Sequence, residues 1–144
     1  MKSPAKIKAY FMEVDSKSKM PLQGYLGYLN NTLEEKQRYV GGIIQCVRLS
    51  SEIDIICNDE GKLIGLPVNR LFINYIDKDE GLFAVDVFCG NIMCVRHLGE
   101  EFTSIHEEDI EVIKKSLLPV IATNQGLMPI PETLLMEADV HDED

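Results

Sequence analysis

Two stretches decide the fold: TLEEKQRYVGGIIQCVRL, residues 32–49, and IDIICNDEG, residues 53–61. The first opens on a capping box. The Thr32 hydroxyl can accept from the Glu35 amide while the Glu35 carboxylate reaches back. A short helix over Leu33–Val40 follows, and Gly41-Gly42 stops it, since glycine takes the left-handed conformation without a Cβ clash. The period then drops to two. Along Ile43–Leu49, Ile43, Gln45, Val47 and Leu49 share one face, with Ile44, Cys46 and Arg48 on the other. Ser50-Ser51 breaks this strand, and Ile53–Cys57 is a second one. Asn58-Asp59-Glu60-Gly61 is the strongest turn signal in the chain. It predicts a hairpin whose return strand is Lys62–Ile64, ended by Pro67.

Outward from this centre, Ile7–Val14 reads as a strand, as do the apolar runs Leu82–Phe88 and Ile92–Leu98. Gly24–Tyr28 and Asn69–Tyr75 carry no decisive pattern. Asp77–Gly81 reads as a solvated turn. A second capping box, Ser104 with Glu107, predicts a helix over 105–117. Glu107, Glu108 and Asp109 fill its first turn and Lys114 and Lys115 its last, as the helix dipole favours. Ile110, Ile113 and Leu117 share its buried face. From Pro119 three prolines and a glycine predict a docked segment, with a helical turn over Pro131–Met136 and then an acidic tail. The expected architecture is α+β: a mainly antiparallel sheet of about five or six strands with two or three short helices. It forms one domain over 1–118, with an extension over 119–144.

The chain has 144 residues, 45% hydrophobic and 26% charged, with a net charge of −10. That size can bury a core without disulfides or metals. Four cysteines, with no apolar run behind Met1-Lys2, imply reduced thiols in a cytosol and no secretory signal. No run of about 18 apolar residues is present, so no transmembrane helix is expected. The negative balance excludes binding to nucleic acid by broad phosphate neutralisation. The charge is also uneven: residues 1–40 carry +3, residues 41–96 carry −3, and residues 97–144 carry −10. Glu100, Glu101, Glu107, Glu108 and Glu111 are therefore the candidate surface for a basic partner.

Catalytic and metal motifs are weak. Cys89, Cys94, His97 and His106 have the residue types for zinc. The spacing does not suit a structural site, however, and Cys94 sits inside an apolar strand. Neither metal nor cofactor is expected. Cys57 could meet His97 or His106 only through the fold. There is no nucleophile elbow and no phosphate-cradling glycine loop, so a non-enzyme is expected. One polar cluster remains: Arg48, Asn58, Lys62, Asn69 and Arg70. It forms either an anion or nucleotide contact or a set of local bonds, with Arg70 pairing to Asp59 or Glu60.

Three segments together, YVGGIIQCV (39–47), ICNDEGKL (56–63) and GLPVNR (65–70), resemble an uncharacterised small domain family. That family, a domain of unknown function, occurs in phages, plasmids and other bacterial mobile elements. Cys89-Gly90 and Phe102–Ile105 are similar to its C-terminal half, so the likeness spans about 32–115. The resemblance brings no catalytic residues. It implies a mobile-element setting and, with the acidic C-terminal third, a counter-defence protein. Such a protein would act in the host cytoplasm by binding and inhibiting a host defence protein such as a CRISPR nuclease. The alternative is a sponge that sequesters a small nucleotide immune signal through the polar cluster. No membrane association is expected, and an edge strand at Ile7–Val14 would let two copies pair.

Overall fold

The computed structural model describes residues 5–77 and 81–139, and their side chains outside 74–85. The elements run β1 (Lys6–Met12), β2 (Tyr25–Asn30), α1 (Leu33–Val40), β3 (Ile44–Arg48), β4 (Ile53–Asn58), β5 (Val68–Asp77) and β6 (Gly81–Cys89). There follow β7 (Ile92–Leu98), β8 (Glu101–Thr103), α2 (Asp109–Ser116), β9 (Leu117–Thr123), β10 (Gly126–Pro129) and a 3-10 turn at Glu132–Leu134. A six-stranded sheet has the order β2-β1-β7-β4-β3, with β8 beside the far end of β7. A four-stranded sheet has the order β10-β9-β5-β6. Every pairing of strands is antiparallel.

The six-stranded sheet is buried on both faces, which is why β4 reads as an almost continuous apolar run. One face carries Tyr10, Met12, Ile53, Ile55, Cys57, Ile92 and Cys94, packed on Phe88, Ile113 and Leu117 from β6, α2 and β9. The other carries Ile7, Ala9, Phe11, Ile56, Met93 and Val95, under Val40 and Tyr39 of α1. The period-two alternation of β1, β4 and β7 divides their side chains between the two cores.

The α+β class holds, but the strand count exceeds the expected five or six. β2 comes from the glycine- and tyrosine-rich stretch that had no decisive pattern, and β5 from Asn69–Tyr75. β9 and β10 come from the proline-bearing segment. Proline is a strand breaker only where its missing N–H is needed. β5 pairs with Leu117–Pro119 and β10 with Val120–Thr123, so Pro119 stands where pairing passes from one neighbour to the other. The Pro119 carbonyl still accepts from Ile130 at 2.8 Å.

Three local expectations fail for identifiable reasons. Ile7–Val14 is not an edge: β1 lies between β2 and β7 and is paired on both sides, so it offers no open ladder to a second copy. Lys62–Ile64 is not a return strand. Both edges of Ile53–Ile56 are taken by β3 and β7, so no ladder is open to it. The loop instead closes on itself through Ile64 N to Glu60 O at 3.0 Å and Leu66 N to Gly61 O at 3.0 Å. Ser104 does not cap α2, because its hydroxyl accepts from the Lys8 amide of β1 at 2.9 Å. The helix begins at Asp109, whose carboxylate accepts from the His106 amide at 2.9 Å. Only half of the first capping box forms: Glu35 N donates to Thr32 Oγ1 at 3.2 Å, but the Thr32 amide goes to Asn30 O and the Glu35 carboxylate takes Arg38 instead. The helix stops at Gly41, φ 83°, as expected. The Asp77–Gly81 turn falls largely outside the described residues, as do Met1–Pro4 and the tail from Val140.

Gly24 lies against the hydroxyl end of the buried Tyr10 ring, and a Cβ there would overlap the phenol. Gly24→Ala should cost about 1–3 kcal/mol, the usual penalty of overpacking. Urea unfolding would show it as a lower midpoint with an unchanged slope.

Candidate functional site

The segments around Gly41, Asn58, Gly61 and Gly90 gather at one end of the molecule. Asn58 Nδ2 donates to the Val40 carbonyl at 3.1 Å, closing the end of α1 onto β4. A Cβ on Gly42 would stand 2.9 Å from that Nδ2, so the approach depends on the glycine. Asn58 Oδ1 accepts from Glu60 N at 2.8 Å and starts the 59–65 loop. Gly90, at φ 78°, leaves room for Leu66. The 59–67 segment thus separates two clefts of about 210 Å³ each. One is lined by Gln45, Asn58, Lys62 and Asp86, with Cys57 and Cys89. The other is lined by Tyr39, Gly41, Pro67 and Asn91, with Asp15 and Lys19. Leu63 and Ile64 project from the loop, 88% and 55% exposed.

The five polar residues expected to act together are split. Asn58 and Lys62 line the first cleft, where the Lys62 ammonium pairs with Asp86. Arg48 lies on β3 opposite Asp54, with Nε 3.2 Å from Oδ1. Asn69 and Arg70 are buried. Asn69 Nδ2 donates to Met12 O at 2.9 Å and Gly90 O at 2.7 Å. Its Oδ1 accepts from Arg70 Nη1 at 2.7 Å. Arg70 Nη2 donates to Leu22 O at 2.8 Å and lies 3.6 Å from Glu132 Oε2. Arg70 therefore pairs with Glu132, not with Asp59 or Glu60. Glu132 was invisible as a partner from the sequence, since it lies 62 positions away.

The five candidate acids are all exposed. Glu100 and Glu101 sit at the β7–β8 turn, and Glu107, Glu108 and Glu111 around the start of α2. Asp109, between them, is different. It is buried and holds Arg96 through two bonds of 2.7 Å, while Arg96 also reaches Glu52 at 2.5 Å. These contacts hold the Asp109 carboxyl below its ordinary range and raise the Arg96 guanidinium. Asp109 is thus an internal fastener of the edge on which the exposed acids stand.

The cysteines and histidines do not converge. Among the described residues, no group of three or more His, Cys, Asp or Glu could hold a metal. Cys94 is enclosed in β7, and burial pushes its thiol far up. Burial also raises Cys57, to about 12, and its Sγ donates weakly to Gln45 O at 3.6 Å. His97 Nδ1 is buried without a hydrogen-bond partner, 3.2 Å from Asp54 Oδ2. His106 is exposed beside Glu108 at 3.5 Å. A high thiol pKa leaves little thiolate at neutral pH, which weakens any nucleophilic role.

Two measurements check these assignments. With a thiol reagent at pH 8, Cys46, the exposed cysteine, should react first; Cys57, Cys89 and Cys94 should wait for unfolding. Four equal rates would contradict the burial. Asp109→Asn should cost about 1–3 kcal/mol at pH 7 by leaving charged bonds unmade. A depressed carboxyl stabilises the fold above its unfolded pKa, near 3.8, and stops doing so as the pH falls through its folded value. The stability gap between wild type and variant should therefore close below about pH 4.

Neither curated proteins nor solved structures give a match to this chain. A family model described as a domain of unknown function, DUF3846, matches residues 8–118. The match takes in β1 through α2 and the start of β9, including the 59–67 segment and the acidic edge. Since it covers well over half of the sequence, the chain belongs to the DUF3846 family.

Proposed function

We propose that the protein is a non-enzymatic counter-defence factor of a phage or other bacterial mobile element. It acts in the host cytoplasm by binding and inhibiting a host defence protein such as a CRISPR nuclease. The observation that carries this reading is the exposed run Glu100, Glu101, Glu107, Glu108 and Glu111. Of these, only Glu108 has a basic side chain within 4 Å among the described residues, His106 at 3.5 Å. Leu98 and Val112, 72% and 44% exposed, lie beside them in sequence and supply apolar anchors. Interfaces draw their energy from a few such anchors, while surrounding charges set the rate and choice of partner. A nuclease channel rich in Lys and Arg is the complementary surface.

Binding is favoured over catalysis because burial raises Cys57 and Cys94 and Arg96 is engaged by two carboxylates. The nucleotide-sponge alternative has less behind it. Asn69 and Arg70 are spent on internal bonds, and Lys62 is paired with Asp86.

Cleavage assays with a panel of purified CRISPR nucleases, with and without the protein, test the proposal. At least one should be inhibited, and inhibition should weaken as salt rises from 0.1 to about 0.5 M. Changing the five glutamates to glutamine should lower the affinity at least about tenfold. No inhibition across the panel, or inhibition untouched by the glutamine changes, counts against it.

A further inference from the structure

Lys36 is placed where a cation is hard to keep. It is in the first turn of α1, where the helix dipole disfavours positive charge. It is only 2% exposed, and burial lowers the pKa of its ammonium. No carboxylate among the described residues pairs with it. Its Nζ donates to Asn31 Oδ1 at 2.7 Å and to the Thr32 carbonyl at 3.2 Å, and stands 5.0 Å from the centre of the Phe102 ring. An ammonium has three N–H groups, so one has no acceptor among these contacts. A buried cation without a counter-ion is costly, and a methionine would fill the same space without that cost.

Lys36 also lines a pocket. The cavity, about 200 Å³, lies between α1 and the β7–β8 turn and is bounded by Asn31, Leu33, Ile44, Phe102, Glu100 and Glu101 as well. Its charged lining residues are of both signs: the buried Lys36, and the exposed Glu100 and Glu101 of the turn. Leu33, Ile44 and Phe102 make its apolar surface. The volume is below the roughly 300–1,000 Å³ of drug-sized sites, so the occupant is small. A simple anion would meet the two glutamates, and a simple cation would meet Lys36. A molecule carrying both charges a few ångströms apart satisfies each group.

We propose that this pocket binds a free α-amino acid with an apolar side chain. Its carboxylate takes the remaining N–H of Lys36, its ammonium bonds Glu100 and Glu101, and its side chain lies on Leu33, Ile44 and Phe102. The site shares Glu100 and Glu101 with the proposed acidic edge; Lys36 belongs to the pocket alone and Glu107, Glu108 and Glu111 to the edge alone, so changes at these residues separate the two readings.

Thermal unfolding of the full chain with each of the twenty amino acids at about 10 mM tests this, because a ligand that binds the folded state raises the midpoint. An apolar amino acid such as leucine should raise it by about 4 °C or more. Leucinamide, which lacks the carboxylate, and N-acetylleucine, which lacks the ammonium, should not. Lys36→Met should abolish the shift. Glu100→Gln with Glu101→Gln, both on the surface, should weaken binding at least tenfold even if the lysine variant does not fold. Glutamine at Glu107, Glu108 and Glu111 should leave it unchanged. The proposal is overturned if no amino acid raises the midpoint, if the amide or acetyl derivative works as well, or if the Glu100/Glu101 variant binds like wild type.

Discussion

The guanidinium of Arg70, buried where the sheets and the C-terminal turn meet, is the constraint on which the other contacts depend. Removing such a charge from water is expensive unless every donor finds an acceptor. Burial does pull its pKa down, and Glu132 is the largest opposing influence. Asn69 supplies one acceptor and is itself fixed by carbonyls from β1 and the β6–β7 turn. Leu22 supplies another from the loop between β1 and β2. Glu132 supplies the countercharge and also accepts from the Gly24 amide at 3.1 Å. Gln23 completes the junction, donating through Nε2 to Leu135 O and through its amide to Met136 O. Arg70 and Asn69 together thereby tie four separate segments.

Local chemistry was legible in the sequence, and its long-range consequences were not. The N-cap at Thr32, the stop at Gly41 and the alternation of β3 depend on neighbours a few residues apart, and they form as read, although the Glu35 carboxylate turns to Arg38 and not back to the cap. The buried face of α2 was equally clear at Ile113, while Leu117, read as the helix's last turn, reaches the core as the first residue of β9. Ser104 misled because a hydroxyl serves as well in a cross-strand bond as in a cap, and only the arrival of β1 decides between them. The return strand at Lys62–Ile64 failed because β4 had already been claimed on both sides. Proline in β9 hid a strand, since the sequence does not say which amide would go unused.

The candidate sites divide along the same line. That Glu100, Glu101, Glu107, Glu108 and Glu111 would stand in solvent followed from their number and spacing. That Asp109 would turn inward to hold Arg96 did not, because Arg96 sits on an apolar strand thirteen residues earlier. Asn69 and Arg70 looked like a surface patch because they flank a polar turn. A buried arginine is rare enough that only its acceptors, scattered from Leu22 to Glu132, could reveal it. Lys36 was hidden in the same way, inside a helix whose charged residues suggested a solvated face.

The docking of Glu132 onto Arg70 also orders events in time. During synthesis β1, β2 and β5 emerge well before the 3-10 turn. Until β9 leaves the ribosome β5 lacks that neighbour, and until Glu132 follows it the arginine has no countercharge. Contacts this distant in sequence close slowly. The nascent chain must therefore pass through a period with its α1-covered sheet able to form and its second sheet open. In that interval the unpaired edge of β5 is the part of the molecule most in need of protection from other chains.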